Sequence, residues 1–461
     1  MSALKPFRLP DFGGTEGECR AISGAEYLAR IQATLERMRK AALDFLVIYG
    51  DREHFANISY LTGFDPRFEE ALLLLSHSGE KLLLVGNECM GYLPDAAIGC
   101  RVELFQDFSL PGQPRDNSKP LRSLFSSFGI GKGAKVGCAG WKCYDGRLVE
   151  GGASAMDAPA YLVDLLRELA GDRRRVHNAA GLFTNPGDGL RTVNSADQIA
   201  QMEFAASHTS LAIRLAIGQI KPGVRECDLP LHATAAGLPL SCHPMASFGD
   251  KVRRGLSSPS QRKANRGDPF VLALGVWGSL TCRAGMVAES PGDLTPDLAA
   301  FYPRFAANYF DVVVAWYEHM RVGAVAGEVY AAAHAVRDPG LMDFAVNPGH
   351  LIHLDEWLHS PFQSDNRCPL RSGMAIQMDI IPVSKGPFCY SNAEDGIALA
   401  DDGLRAELAR RHPDAWQRIQ ARREFMVGTL GIQLDPTVLP LSNTPGWLCP
   451  YAMNPQLAFA K

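Results

Sequence analysis

Apolar and polar positions follow two different periods along the first 190 residues. Apolar side chains recur at helical spacing between residues 26 and 42, which predicts an amphipathic helix. A second helical stretch lies at 158–170. Continuous apolar runs of strand length, bounded by polar turns, predict buried strands at 45–49, 70–75, 81–85 and near 135–137. This alternation predicts an α/β domain of short strands covered by helices.

The pattern changes after a boundary segment at 173–189, which is rich in Arg, Asn and Gly. A long helix is predicted to begin next, with Asn194 or Ser195 as its N-cap and apolar positions continuing to Ile217. Further along, strands are predicted near 270–274 and 279–283, and helices at 298–322 and 325–336.

These changes divide the chain into two expected domains, at 1–190 and 191–461. The final third of the second domain is rich in predicted strands. Its tail after Leu434 is rich in Pro and Asn, so we expect it to form a wrapping arm.

Candidate chemistry concentrates between residues 347 and 395. Three of the twelve histidines, His350, His353 and His359, fall within a short segment that has prolines near both ends. Downstream, Asp379 and Glu394 each lie beside or within apolar runs of strand character. Carboxylates are rarely buried unless they are paired or coordinated, so acids in such runs beside a histidine cluster indicate a site. The alternative is that both acids are strand-end charges that face water.

Composition narrows the class of protein. The net charge of −4 provides no basic surface for nucleic acid and no polybasic patch for a membrane. The N-terminus lacks the apolar core of a signal peptide, and no apolar run approaches the ~18 residues of a membrane helix. The eleven cysteines include no Cys-x-x-Cys pair, which favours reduced thiols. We expect a cytoplasmic protein that binds neither nucleic acid nor membrane.

Several segments resemble signatures of one superfamily, in the same order along the chain. Residues 57–64 (NISYLTGF) are similar to an "N-x-x-Y-L-[ST]-G" signature, and residues 193–202 to a "K-S-x-x-E-I-x-x-M" segment. Residues 266–275 are similar to "G-D-x-v-x-x-D-x-G", and Pro348–His350, Ser372–Met374 and Glu394–Asp395 to "G-H", "p-G-M" and "E-D" segments. The chain resembles the creatinase and Xaa-Pro aminopeptidase superfamily. The resemblance implies an N-terminal α/β domain, a pita-bread α+β catalytic domain and a homodimer.

The resemblance also locates metal ligands. Peptidases of this superfamily hold two divalent metals with two Asp, one His and two further acids. Carried over residue by residue, His350, Asp379 and Glu394 occupy three of these positions. The first Asp position falls on Ala273, and the second falls near Arg283 within about one residue. Hard divalent ions need several well-placed ligands, so we expect no cofactor, or at most one weakly bound divalent metal on His350, Asp379 and Glu394.

The resemblance suggests roles for other residues. Arg283 is expected to balance the charges of Asp379 and Glu394, or to hold a substrate carboxylate, and the alternative is a structural ion pair. The catalytic histidine of creatinase falls near Leu256–Ser258, which leaves His243 as the nearest candidate or as a structural residue. His353 and His359 are extra to the superfamily pattern; His353 is a catalytic candidate and His359 a substrate-binding one.

One candidate lies in the N-terminal domain. In creatinase-like dimers, the segment after the "Y-L-[ST]-G" signature reaches the active site of the partner subunit. Here that segment contains Phe64 and Arg67, which are expected to bind a small anionic or planar ligand. The alternative is a surface loop with a solvated arginine.

These features lead to three functional interpretations. The first is a hydrolase acting on a C–N bond of a small molecule (an amidine, cyclic amide or modified amino acid) without a two-metal centre, with His350, Asp379, Glu394 and His353 as catalytic candidates. The second is an Xaa-Pro aminopeptidase-like metallopeptidase with an atypical metal site. The third is a catalytically inactive binding module. Metal content separates the first two, and a retained ligand without turnover indicates the third.

Overall fold

The structure, a computed structural model, describes residues 2–19, 21–93, 99–231 and 236–461. It divides into an N-terminal unit, Ala21–Arg191, and a C-terminal unit made of Met1–Arg20 and Thr192–Lys461. Strand β1 (Ala3–Pro6) pairs antiparallel with the last strand of the chain. The first residues of the chain therefore pack with the C-terminal unit, whereas the expected domain boundary placed them in the N-terminal one.

The N-terminal unit is a six-stranded sheet, ordered β5-β4-β3-β2-β6-β7, with separate apolar clusters that include helical side chains. Its elements are α1 (Gly24–Lys40), β2 (Phe45–Gly50), α2 (Ala56–Thr62), β3 (Ala71–Ser76), β4 (Lys81–Val85), β5 (Arg101–Leu104), α3 (Leu121–Ser127), β6 (Val136–Ala139), α4 (Ala160–Ala170), β7 (Val176–Asn178) and α5 (Gly181–Thr184). The predicted α/β alternation is confirmed, because each apolar run named above became a strand. The start of α1 follows from Ser23, whose side chain accepts a hydrogen bond from the Glu26 backbone N–H.

The C-terminal unit is built on a seven-stranded sheet, in which the path β12-β13-β15-β10-β9-β8 is joined by β16 beside β15. Its further elements are α6 (Ala196–Ile217), β8 (Met245–Phe248), β9 (Pro269–Val276), β10 (Ser279–Met286), α7 (Pro296–His319), α8 (Ala326–Val336), β11 (Met342–Phe344), β12 (His350–Leu351), β13 (Ala375–Met378), β14 (Pro382–Ser384), β15 (Asn392–Leu399), α9 (Asp402–Arg411), α10 (Pro413–Gly428), β16 (Val438–Pro440) and β17 (Leu457–Ala460). Ser195 caps α6 by accepting from the Gln198 backbone N–H, which confirms one of the two predicted caps.

The tail of the chain differs from the expected wrapping arm. Residues 438–452 are buried along their whole length, and β16 extends the central sheet beside β15. Backbone carbonyls of this segment, at Thr444 and Trp447, accept hydrogen bonds from Arg283. The Pro- and Asn-rich composition therefore marks an irregular interior segment that supplies carbonyl acceptors to the core. Among the helices of the described ranges, none combines the length and the apolar character needed to cross a membrane.

Candidate active site on one face of the central sheet

A single row of cross-strand neighbours defines the face of the sheet that carries the site. Met245 on β8 pairs with Ala273 on β9, Ala273 pairs with Cys282 on β10, and Cys282 pairs with Glu394 on β15. Cross-strand partners project to the same side of a sheet, and residues two apart along a strand share that side. These four side chains therefore lie on one surface, which we call the site face.

Three potential ligand residues converge on the site face. His350 pairs with Gln377, and Gln377 pairs with Gly396, which lies two residues beyond Glu394 on β15. Asp379 follows Gln377 by two residues and so returns to the same face. One nitrogen or oxygen atom from each of His350, Asp379 and Glu394 lies within 4.8 Å of the other two. The convergence expected for these three residues is present.

The turn before β12 places His350 against the sheet. Gly349 has φ +104, and a Cβ at this position would lie 2.9 Å from Gln377 O, so both the dihedral and the space favour glycine. The same turn is anchored by Trp316, whose indole N–H donates to Pro348 O at 2.7 Å, and by Ser360, whose hydroxyl donates to Gly349 O at 2.7 Å. The Asn-Pro-Gly-His turn therefore holds the fully buried imidazole of His350 in one position against the sheet.

Burial dominates the electrostatics of the two acids. It raises the pKa of Glu394 to about 8, assisted by the charge of Asp379, and it raises the pKa of Asp379 to about 6. Burial opposes the positive charge of His350, but the carboxylates of Glu356, Glu394 and Asp379 outweigh it and raise the pKa of His350 well above its ordinary value. The site therefore holds exchangeable protons near neutral pH.

A pH dependence of stability follows for chelator-treated protein. The folded state keeps the Glu394 proton up to about pH 8, whereas the unfolded chain loses it near the ordinary value of 4.5. The unfolded state then binds fewer protons between these values, so the free energy of unfolding falls as pH rises through this window, by at most ~1.4 kcal/mol per pH unit. Denaturant unfolding measured at several pH values across this window should show that the free energy of unfolding falls less steeply with pH in Glu394→Gln than in the wild type. Equal slopes in the two proteins would contradict the assignment.

Glu356 and Trp357 complete the site on its solvent side. Glu356 Oε1 lies 3.1 Å from His350 Nε2, and the Trp357 ring stacks on the imidazole with centroids 4.1 Å apart and planes at 19°. Trp357 is 36% exposed, while His350 is fully buried. Neither Glu356 nor Trp357 is among the site residues predicted from the sequence. The sequence feature that could have identified Glu356 is the Asp355-Glu356 pair, which lies between His353 and His359.

Arg283 does not take the role expected for it. It pairs with Ala393, one residue before Glu394, so its side chain projects to the face opposite the site. Its Nη2 donates to both carboxylate oxygens of Asp395, at 2.8 and 2.7 Å, and other guanidinium nitrogens donate to backbone carbonyls. The expected charge balance with Asp379 and Glu394 is therefore wrong, and the alternative of a structural ion pair is correct. Cys282, one residue earlier, occupies the site-face position.

The donor set does not fit two metal ions. Ala273 and Cys282 lie in the row beside Glu394, where two carboxylates would be needed, and a methyl and a thiol supply no hard oxygen ligand. The remaining donors fit one ion at most. In the described part of the chain, Asp379 Oδ1 is buried without a hydrogen-bond partner, whereas His350 Nε2 has Glu356 Oε1 at 3.1 Å.

The other histidines lie outside the converging set. His353 is buried beyond the end of β12, and its backbone N–H donates to Asp355 O. His359 forms a bridge with Leu351, which follows His350 and belongs to the core on the opposite face of the sheet, and burial lowers the pKa of His359. His243 is exposed, with Nε2 at 2.8 Å from Leu256 O. None of the three joins His350, Asp379 and Glu394 in the group whose ligand atoms lie within 4.8 Å.

The two candidates of the N-terminal unit have different environments. Phe64 is fully buried in the core of that unit, so it is not placed to bind a ligand as expected. Arg67 is half exposed, with φ +58, and its guanidinium donates to the Tyr92 hydroxyl and lies 3.2 Å from Asp65. Its role in ligand binding and the homodimer stay predictions.

Comparison with known proteins agrees with this architecture. Residues 30–135 match the creatinase/prolidase N-terminal domain family. No curated protein matches the chain. Among solved structures, a prolidase from Pyrococcus horikoshii has a TM-score of 0.61 at 16% identity, covering 81% of this chain and 95% of its own. Dipeptidase PepE from Mycobacterium ulcerans has a TM-score of 0.61 at 20% identity, covering 82% and 94%.

A third structure, Escherichia coli aminopeptidase P, has a TM-score of 0.58 at 16% identity and covers 88% of this chain and all of its own. At these identities the likeness establishes the fold. The chain therefore joins a creatinase/prolidase N-terminal domain to a C-terminal unit with the pita-bread fold that these solved structures share.

Proposed function

We propose that the protein is a hydrolase that cleaves a C–N bond of a small molecule without a two-metal centre. The observation that supports this most strongly is the row of Ala273, Cys282 and Glu394 across three strands. It keeps Glu394, with Asp379 and His350 nearby, and it lacks the two carboxylates that a pair of metal ions would need. What remains is a buried cluster of acid and base groups.

The two acids have pKa values suited to opposite roles. With values of about 6 and about 8, Asp379 is ionised and Glu394 protonated over much of the range near neutral pH. The ionised carboxylate accepts a proton from an attacking water, and the protonated one donates to the leaving nitrogen. The pair titrates jointly, so either carboxyl is able to hold the proton. Protonated His350 stabilises the negative charge that develops on the substrate.

The test is turnover by chelator-treated protein. Mass spectrometry of compounds retained by the purified protein selects substrates, which are then assayed beside Xaa-Pro dipeptides. We expect hydrolysis of a small C–N compound in chelator, no cleavage of the dipeptides, and loss of turnover in folded His350→Ala. A retained compound that no condition hydrolyses would instead indicate a binding module.

A second candidate is an Xaa-Pro peptidase with one metal ion. The grouping of His350, Asp379 and Glu394, whose ligand atoms lie within 4.8 Å of one another, favours it, as does Asp379 Oδ1, which has no hydrogen-bond partner. His350, Asp379 and Glu394 would hold the ion, which when bound supplies Lewis acidity. In that case the protein residues orient the substrate. Proline-dipeptide cleavage that depends on added Mn²⁺ or Co²⁺ would select this candidate over the first.

Restoring the two missing carboxylates should create metal binding. In chelator, Ala273→Asp with Cys282→Asp is expected to melt below the wild type, because it adds two acids to a buried site that already holds two. Saturating Mn²⁺ should stabilise this variant by ~3 kcal/mol at about 100 times the dissociation constant.

The control for that experiment is Cys282→Ala, which removes the thiol and adds no ligand. It should gain no more from Mn²⁺ than the wild type does. If the double variant gained no stability from Mn²⁺, Cys282 would not be the position of the second missing ligand.

A further inference from the structure

Buried acceptor oxygens without donors distinguish the site face. In the described ranges, Gln377 Oε1, Asp379 Oδ1 and Asn392 Oδ1 have no hydrogen-bond partner, and each of these residues is at most 5% exposed. The amide of Gln377 is oriented by Leu280 O, which accepts from Nε2 at 2.6 Å. Asn392 lies two residues before Glu394 on β15 and so shares the site face. Buried acceptors are normally satisfied, so the three oxygens indicate a ligand that supplies several donors.

The charges of the site point in the same direction. Glu356, Asp379 and Glu394 are three carboxyl groups around one imidazole, and only Glu356 and Glu394 approach His350 within ion-pair distance. Within the described residues, no lysine or arginine nitrogen lies within 4.0 Å of any of the three carboxyl groups. Arg283 is directed to the opposite face and bound to Asp395. The site therefore favours a ligand with positive charge.

Two adjacent residues form the solvent side of this acidic site. The Glu356 side chain is 25% exposed and Trp357 is 36% exposed, whereas the side chains of His350 and Glu394 are at most 7% exposed. The indole is stacked on His350 and is partly exposed. An aromatic face beside a carboxylate is complementary to a flat cation, because the ring attracts the charge and the carboxylate accepts two parallel N–H groups.

We propose that Glu356 and Trp357 are specificity-determining residues that select a planar cation rich in N–H donors, the class that amidinium groups represent. Glu356 accepts from its outer N–H groups, Trp357 covers its plane, and Gln377, Asp379 and Asn392 accept from its inner N–H groups. This assignment rests on the proposed function, since it names the substrate class of the same site.

The test uses isosteric pairs that differ in charge. Benzamidine and benzamide, with acetamidine and acetamide as a smaller pair, are titrated into chelator-treated protein by calorimetry or ligand-observed NMR near neutral pH. Each amidine is cationic and each amide neutral, while size and planarity are matched within each pair. The expected result is at least about tenfold tighter binding of the amidine in one pair or both, as expected for a charge-assisted bidentate contact.

Variants assign the preference to residues. Glu356→Gln should remove most of the amidine preference, so that amidine and amide bind with similar affinity, and Trp357→Leu should weaken the amidine more than Trp357→Phe does. Glu289→Gln changes an exposed glutamate of the same unit and should alter neither affinity. Because Glu356 and Trp357 are partly exposed, these variants are expected to fold, and circular dichroism verifies it.

Outcomes for this inference and for the proposed hydrolase are separable. Equal binding of amidine and amide in both pairs overturns the inference, as does an amidine preference that survives in Glu356→Gln. Tight binding of Mn²⁺ alone that excludes the amidines also overturns it, since a metal ion would then satisfy the acceptors. Amidine-selective binding with no turnover of any C–N compound supports the inference and contradicts the proposed hydrolase function. Turnover of neutral amides without an amidine preference contradicts the inference and supports the hydrolase function.

Discussion

Replacing Arg283 with alanine is expected to lower the free energy of unfolding by roughly 3–5 kcal/mol, the usual cost of breaking a buried ion pair. The side chains of Arg283 and Asp395 are 2% and 1% exposed, and their contact is 2.7 Å. The variant leaves Asp395 in the core with two remaining partners, the Thr444 hydroxyl at 3.1 Å and the Gly446 N–H at 2.9 Å. These donors do not carry a compensating charge. Denaturant unfolding near neutral pH measures the loss.

Second-site changes show which acid Arg283 balances. Asp395→Asn in the Arg283→Ala background should recover part of the lost stability, because it removes the unpaired charge. Glu394→Gln should change the free energy of unfolding by the same amount with Arg283 present and with Arg283→Ala, since Glu394 faces the other side of the sheet. The matched control is Arg225→Ala, in an exposed pair with Asp228, which is expected to change stability within about 0.5 kcal/mol. Rescue by Glu394→Gln alone would refute the opposite-face arrangement.

Glu394→Gln is expected to reduce turnover by about 10²–10⁴-fold, the range typical for loss of a general acid or base. The substitution keeps the shape of the side chain and an oxygen that accepts from Gln377 Nε2, which lies 3.2 Å from Glu394 Oε1. It also removes a buried ionisable group, so the variant should be at least as stable as the wild type at the alkaline end of the pH range. A fall in kcat without a loss of fold is the expected pattern.

Steady-state kinetics in chelator, with the substrate found by mass spectrometry, measure this effect. Glu289→Gln again serves as the exposed-glutamate control and should retain full activity. Asp379→Asn should also lower turnover, and because the two acids titrate jointly its effect should not add fully to that of Glu394→Gln. Full turnover in both Glu394→Gln and His350→Ala would remove the proposed mechanism.

The strands and long helices could be predicted because their signal is local. Runs such as 45–49 and 81–85 are too apolar to face water, and the spacing in 26–42 fits only a helix with one buried side. The convergence of His350, Asp379 and Glu394 came from the superfamily resemblance, which orders segments that lie far apart in sequence. The prediction of whole strands and helices is insensitive to an error of one residue.

Arg283 shows why other predictions failed. A displacement of one residue in a strand moves a side chain to the opposite face, and the sequence did not reveal that β9 and β10 are joined by the short turn between Val276 and Ser279. Only the observed register places Cys282, and not Arg283, beside Glu394. Glu356 was missed for a related reason, since its approach to His350 depends on a loop without regular periodicity. Phe64 follows a helix C-cap, and its burial depends on packing distant in sequence.

The most direct test of the central claim is the metal content of the native protein. Protein purified without chelator, incubated with excess Mn²⁺, Co²⁺ or Zn²⁺ and then desalted, is analysed for bound metal by mass spectrometry of the elements. Because Ala273 and Cys282 stand where two carboxylates would be needed, we expect the protein to retain less than about one equivalent of metal per chain. Two tightly held equivalents would contradict it.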